Sequence, residues 1–125
     1  MATAESEIHQ RIKDAMVAHS HKDTTHILRS LRNTARVFKN SVSEQVRALE
    51  KQEGVEFSKL QPLVSGARGR KVYEEGDKEA GIWTAGQVLG LIHDIPSCRE
   101  LVQRTEREAE ERIAALGALV HRPHL

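Results

Sequence analysis

Seven histidines in 125 residues, with His19, His21 and His26 close together, raise metal binding and acid–base chemistry first. Zinc sites draw on HExxH or paired-cysteine spacings, and this chain has no HExxH and one cysteine. No metal ligand is assigned, and the histidines read as exposed or partly packed. His93 follows an apolar run and precedes Asp94, which fits a carboxylate-oriented imidazole and, more commonly, a helix-end hydrogen bond. Cys98 follows a capping Ser97, where a helix N-terminus can lower a thiol pKa; its place on an apolar stripe favours a small buried residue. "SGARGRK" (65 to 71) sets Arg68, Arg70 and Lys71 among glycines whose N–H groups suit an anion. "EEGDKE" follows at once, cancels that charge and favours a solvated loop or helix start.

The stretch "GIWTAGQVLGLIHD" (81 to 94) holds the only tryptophan and three glycines inside an apolar run. Glycine in a regular element costs on the order of 1 kcal/mol relative to alanine, so it marks a special dihedral or a close backbone approach. Two readings stay open for "WTAGQ". In one, Gly86 lets the chain bend while Trp83 anchors it. In the other, the backbone lies against a flat cofactor, with Gly86 bare of side chain and Gln87 offering an amide donor and acceptor.

These residues need elements to position them, and the composition limits the choices. The length fits one domain with a moderate core. Lys plus Arg total 19 against 18 Asp plus Glu, so there is no global field for nucleic acid or an anionic membrane. One cysteine rules out an internal disulfide framework, and the absence of a leader-like or 20-residue apolar segment points to the cytoplasm. Tryptophan and tyrosine occur once and phenylalanine twice. A core built mainly on Leu, Ile, Val and Ala favours packed helices.

The spacing of Ile8, Ile12, Ala15, Met16 and His19 predicts a helix over 5–19, with glutamates in its first turn. "TTHILRSL" (24 to 31) alternates and begins β-branched, as a short strand does. Phe38, Val42, Val46 and Leu49 form a stripe that predicts a helix over 34–52, with Thr34 as N-cap and Gly54 as its stop. Short helices are expected at Ser58 to Val64 and Ala67 to Glu75. The last helix, 97 to 119, opens with Ser97 and Glu100 in capping-box spacing after Pro96. Its stripe is Cys98, Leu101, Val102, Thr105, Ala109, Ile113 and Leu116. The fold class is therefore mainly α with at most one or two short strands, and 120–125 reads as a frayed tail.

Four segments in order, "ATAESEIHQRIKDAM", "DTTHILRSLRNTARVFKN", "GARGRKVYEEGD" and "GIWTAGQVLGLIHDIPS", resemble the C-terminal part of the FMN-dependent nitronate monooxygenase family, also called 2-nitropropane dioxygenases. The related FMN-dependent enoyl reductases share the ES-x-x-H, DTT and AGQ-x-x-GL steps. The resemblance implies an FMN-binding TIM barrel with a helical subdomain inserted after its last strand. Such a barrel takes about 250 residues, more than this chain has. By position, 1–23 would carry the helix after that strand, 24–80 the inserted subdomain, and 81–119 the return segment and closing outer helix. Family members carry a Gly-Thr-Arg-Phe phosphate-binding step just before the residues matching "MAT". Their catalytic histidine lies in the barrel, so no catalytic residue is assigned here. Ala85, Gly86 and Gln87 would approach the flavin.

The implied activity is oxidation of alkyl nitronates by FMN and oxygen, with the protein supplying orientation. The chain by itself is expected to be inactive and to bind FMN weakly. An enoyl reductase is the nearest enzymatic alternative. A non-catalytic helical interaction module is the alternative from another class, since a fold does not by itself confer activity. The expected partners are the missing barrel portion, or a second copy through the 97–119 helix, and a small nitronate substrate; neither nucleic acid nor membrane is expected.

Overall fold

Thr24 to Ile27 and Ala35 to Phe38 pair as an antiparallel two-stranded sheet, β1 and β2, with Thr24 opposite Phe38 and Ile27 opposite Ala35. These observations come from a computed structural model that describes residues 1–120. The chain divides into two units, one formed by Met1–Ala2 and Ser6–Ile95, the other by Thr3–Glu5 with the chain from Pro96 onward. The first unit contains α1 (Gln10–Ala18), the hairpin, α2 (Ser41–Glu50), α3 (Phe57–Val64), α4 (Gly66–Glu75) and a 3₁₀ turn at Gln87–Leu91. The second contains α5 (Cys98–Val120). The architecture is mainly helical with one small sheet, as the sequence pattern implies.

The helix expected over 34–52 is instead a strand followed by a shorter helix. Thr34 is exposed and caps nothing; the cap is Asn40, whose side chain accepts the Ser43 N–H at 2.8 Å while Ser43 Oγ accepts the Asn40 N–H at 2.9 Å. Phe38 lies four residues before Val42 and so joins the helical stripe by spacing alone. Pairing with β1 extends the backbone at Phe38, and the residue is buried from the strand side. The expected strand at 24–31 ends at Ile27 because Leu28 takes a φ of 59°. Glu50 holds that bend by accepting the Leu28 and Ser30 N–H groups at 2.9 and 3.0 Å.

The first helix begins at Gln10, capped by His9, five residues later than its periodicity suggests. Glu5 does not start it: both its carboxylate oxygens accept the Cys98 N–H, at 3.0 and 2.9 Å, which places the acid at the positive end of α5. The Ser97–Glu100 capping box is formed as read. Cys98 is exposed rather than buried, because no residue of α5 is buried and Leu101, Val102, Ile113 and Leu116 all stand at least 42% exposed. α3 and α4 fall within one residue of their expected spans although Pro62 lies inside α3 and Gly69 inside α4, and "SGARGRK" is the start of α4, with Ser65 accepting the Arg68 N–H. The end expected to fray from 120 lies, past Val120, outside the described residues.

Two apolar clusters fill the first unit. Ile27, Val37, Val46 and Leu60 join the hairpin to α2 and α3. Ile12, Met16, Phe38, Val72, Trp83 and Leu89 join α1, β2, α4 and the 83–89 segment. Val72 thus ties α4 to the segment that returns after the 24–80 region.

A third capping box, at the turn before β1, makes the stability pH-dependent. The Ser20 N–H donates to Asp23 at 2.8 Å and the Ser20 hydroxyl at 3.2 Å. The backbone bond first, and the hydroxyl after it, hold the Asp23 carboxyl below its ordinary 3.8 despite opposing desolvation. A lowered folded-state pKa stabilises above the unfolded value and is lost as pH falls through the folded one. Asp23→Asn is therefore expected to reduce the acid sensitivity of urea midpoints below about pH 4. Identical pH profiles for the two proteins would remove Asp23 from the acid response.

Candidate functional site

Residues 80–85 are held along the edge of the hairpin by an unusual density of contacts. The Phe38 N–H donates to the Trp83 carbonyl at 3.1 Å, and Val37 forms an isolated antiparallel bridge with Thr84. The Asn40 amide donates to the Lys78 and Gly81 carbonyls at 2.7 and 2.8 Å. Arg68 Nε donates to the Ala80 carbonyl at 2.6 Å. The backbone approach that the glycines signal is internal at Gly81, and Gly69 of α4 shares it. A Cβ on Gly81 would stand 2.7 Å from the Arg68 carbonyl oxygen, and one on Gly69 would stand 2.9 Å from the Ile82 carbonyl oxygen. Paired glycines on the two segments let α4 and the 81–83 segment pass at backbone distance.

Trp83 anchors this segment. Its ring stacks on Phe38 with centroids 4.4 Å apart and planes 20° apart, and its Nε1–H donates to the Lys78 carbonyl at 3.3 Å. His19 meets the other side of the cluster, edge-on to Phe38 at 4.9 Å. Its Nδ1–H donates to the Ala15 carbonyl at 2.8 Å, so Nε2 is the nitrogen that accepts from Lys78 Nζ at 3.5 Å. Burial pushes the Tyr73 hydroxyl up from its ordinary value, a shift opposed by its hydrogen bond with the Thr84 backbone.

Beyond Trp83 the chain opens onto a cleft of about 310 Å³ lined mainly by apolar groups, among them Ala2, Met16, Trp83, Ala85, Gly86 and Leu89. Ala85 is buried at its floor and Gly86 is half-buried at its rim. Gln87 is exposed, starts the 3₁₀ turn and does not line the cleft. Gly86 has φ −83° and ψ 179°, an extended backbone that any residue adopts. Nothing comes closer to a Cβ there than Val88 Cγ1 at 3.9 Å. Neither a bend nor a close approach inside the chain requires this glycine.

The remaining chemical candidates are dispersed. No group of three metal-ligating side chains occurs among the described residues. His93 is exposed beyond the 3₁₀ turn rather than at a helix end. His26 faces a separate polar cleft between the hairpin and α2, which sequence inspection missed because its basic residues, Arg29, Arg47 and Lys51, are distant along the chain. No helix among the described residues is long and apolar enough to cross a membrane.

No family model matches the chain. Over 45 residues, 36% of its length, it is 47% identical to the (3aS,4S,5R,7aS)-5-hydroxy-7a-methyl-1-oxo-octahydro-1H-indene-4-carboxyl-CoA dehydrogenase of Rhodococcus jostii. Over 46 residues it is 39% identical to the dehydrogenase of the same name from Mycobacterium tuberculosis. The chain matches 13% of each relative's length. Among solved structures, FabK from Thermotoga maritima superposes over 94% of this chain and 37% of its own, with a TM-score of 0.80 and 26% identity. Its M276A variant gives a TM-score of 0.75 at 24% identity. The chain therefore has the fold of part of a TIM-barrel enzyme of the 2-nitropropane dioxygenase-like superfamily that includes FabK.

Proposed function

We propose that these residues form one wall of the flavin pocket of an FMN-dependent oxidoreductase whose barrel lies outside the 125 residues, and that the reaction is oxidation of an alkyl nitronate. The observation that carries the flavin reading is Gly86. It sits bare at the rim of an apolar cleft and is required by nothing within the chain, which suits the edge of a flat aromatic group. Ala85 and Gly86 would hold that edge by contact, and Gln87, exposed beside it, would offer an amide. The apolar cleft offers no cation for a phosphate, so the phosphate would be held by the barrel. When bound, FMN would supply the redox step, and this chain would contribute shape and water exclusion.

A reduction of enoyl thioesters fits the same wall equally well and is compatible with the superposition on FabK. On either reading the exposed apolar residues of α5 are covered by the barrel in the assembled enzyme, and a cytoplasmic address suits both.

The test grafts this chain in place of the matching segment of T. maritima FabK. Gly86→Val in the graft is expected to lower bound flavin per protein, measured by visible absorbance, while Gln87→Ala leaves occupancy intact and changes turnover. FMN titrated into the chain alone is expected to give no saturable fluorescence change. Full flavin occupancy in the Gly86→Val graft sinks the pocket-wall reading. Oxygen uptake with an alkyl nitronate, against nicotinamide oxidation with an enoyl thioester, separates the two reactions.

A further inference from the structure

We infer a second site, unrelated to the flavin wall: the polar cleft between the hairpin and the end of α2 binds the phosphate group of a small soluble molecule. The cleft is open to solvent, has a volume of about 500 Å³ and gathers Arg29, Arg47 and Lys51 with the imidazole of His26 and the hydroxyl of Thr25. Arg29 and Lys51 make no side-chain hydrogen bond or ion pair among the described residues, and Arg47 is shared with the exposed Glu44 at 3.0 Å. One carboxylate, Glu50, lines the cleft, and its oxygens are engaged by the Leu28 and Ser30 N–H groups and the Ser30 hydroxyl. Its task is to hold the loop in which Leu28 and Arg32 take positive φ, and this fixes the backbone that carries Arg29.

With Arg47 shared with Glu44 and Glu50 engaged by backbone N–H groups, Arg29 and Lys51 are the two cations of the cleft left without a carboxylate partner among the described residues. A single carboxylate ligand would meet one of them, whereas a phosphate dianion presents three acceptor oxygens and can meet both. The cleft is within the usual range of small-molecule sites, about 300–1,000 Å³, and exceeds the size of a bare phosphate. A phosphate ester or diphosphate is therefore the class that fits. The carbonyls at the end of α2 oppose an anion, but those of Ala48 and Leu49 are occupied by the Lys51 and Gln52 N–H groups. The chain's near-neutral total charge argues against a nucleic-acid strand and for a ligand no larger than the cleft.

The probes are inorganic phosphate, pyrophosphate and adenosine diphosphate, titrated into the full chain at low salt and followed by amide shifts in heteronuclear spectra. Saturable shifts confined to residues 25–30 and 47–51 are expected. Tighter binding of the nucleotide than of pyrophosphate marks the attached group as part of the ligand, and equal binding marks the phosphate alone. The Arg29→Ala/Lys51→Ala variant is expected to bind about tenfold or more weakly, the loss of two charge-assisted contacts, with retained amide dispersion as the check on folding. Arg29→Lys/Lys51→Arg should keep most of the affinity, and Arg70→Ala, outside the cleft, all of it. Absence of saturable shifts at millimolar pyrophosphate overturns the site, as does equal affinity in the double-alanine variant.

Discussion

Replacing Trp83 with alanine is expected to lower the unfolding free energy by about 3–5 kcal/mol, the range for truncating a buried aromatic side chain. Trp83 is 1% exposed and belongs to the cluster that joins α1, α4 and the hairpin. A ring of this size buries about 150–250 Å², worth roughly 4–6 kcal/mol at about 25 cal/mol per Å². The substitution also forfeits the Phe38 stack and the bond to the Lys78 carbonyl. Against a typical total of about 5–15 kcal/mol, such a loss leaves the first unit near its folding threshold. Urea unfolding followed by far-ultraviolet circular dichroism measures it. Trp83→Phe should recover most of the stability, because the stack survives and the losses are confined to the N–H donor and the smaller ring's volume. A loss below about 1 kcal/mol for the alanine variant, well short of the aromatic-truncation range, would show that the 81–87 segment is held chiefly by its backbone bonds.

Asn40→Leu is expected to cost about 3–5 kcal/mol by another route: the buried Gly81 carbonyl loses its donor at about 1–3 kcal/mol, the part-buried Lys78 carbonyl keeps only the Trp83 N–H and loses one hydrogen bond of about 1 kcal/mol, and α2 loses a cap worth about 1 kcal/mol. Asn40 is 5% exposed, and one amide caps α2 while tethering Lys78 and Gly81. Asn40→Asp separates these roles. It keeps an oxygen for the Ser43 N–H but has no N–H₂ to donate and faces two carbonyls with negative charge. Thermal unfolding should therefore place Asn40→Asp close to Asn40→Leu. An Asn40→Asp protein as stable as the original would mean that the tether contributes little and that the 80–85 segment is positioned by Trp83, the Arg68 bond and the pairing with β2.

Trp83 lines the wall that carries the proposed flavin contact and Asn40 tethers the segment before it, and they were legible in the sequence to different degrees. Trp83 was visible as the lone tryptophan in an apolar run, because a large apolar ring has few stable places outside a core. Asn40 was not visible. Its amide serves carbonyls 38 and 41 residues away, and no local pattern announces such a partner. The strand Ala35–Phe38 was missed for a related reason. The spacing of Phe38, Val42 and Val46 mimics a helical stripe, while the β1 pairing that overrides it is a contact between separate segments.

The patterns that depend on near neighbours were determined by the sequence itself. These include the Ser97–Glu100 box, the spans of α3 and α4 to within a residue, and the predominance of helix in a chain poor in aromatics. Collinear motifs likewise placed the chain with the flavin-barrel superfamily that the fold comparison supports. Tertiary structure alone decided which glycines serve a close approach. Sequence attention went to Gly86, yet the backbone contacts fall at Gly69 and Gly81. It also assembled the Arg29, Arg47 and Lys51 cleft from a hairpin loop and a helix end. In both cases the physical reason is the same: steric fit and charge density depend on distances through space, which a linear spacing encodes only within a single element.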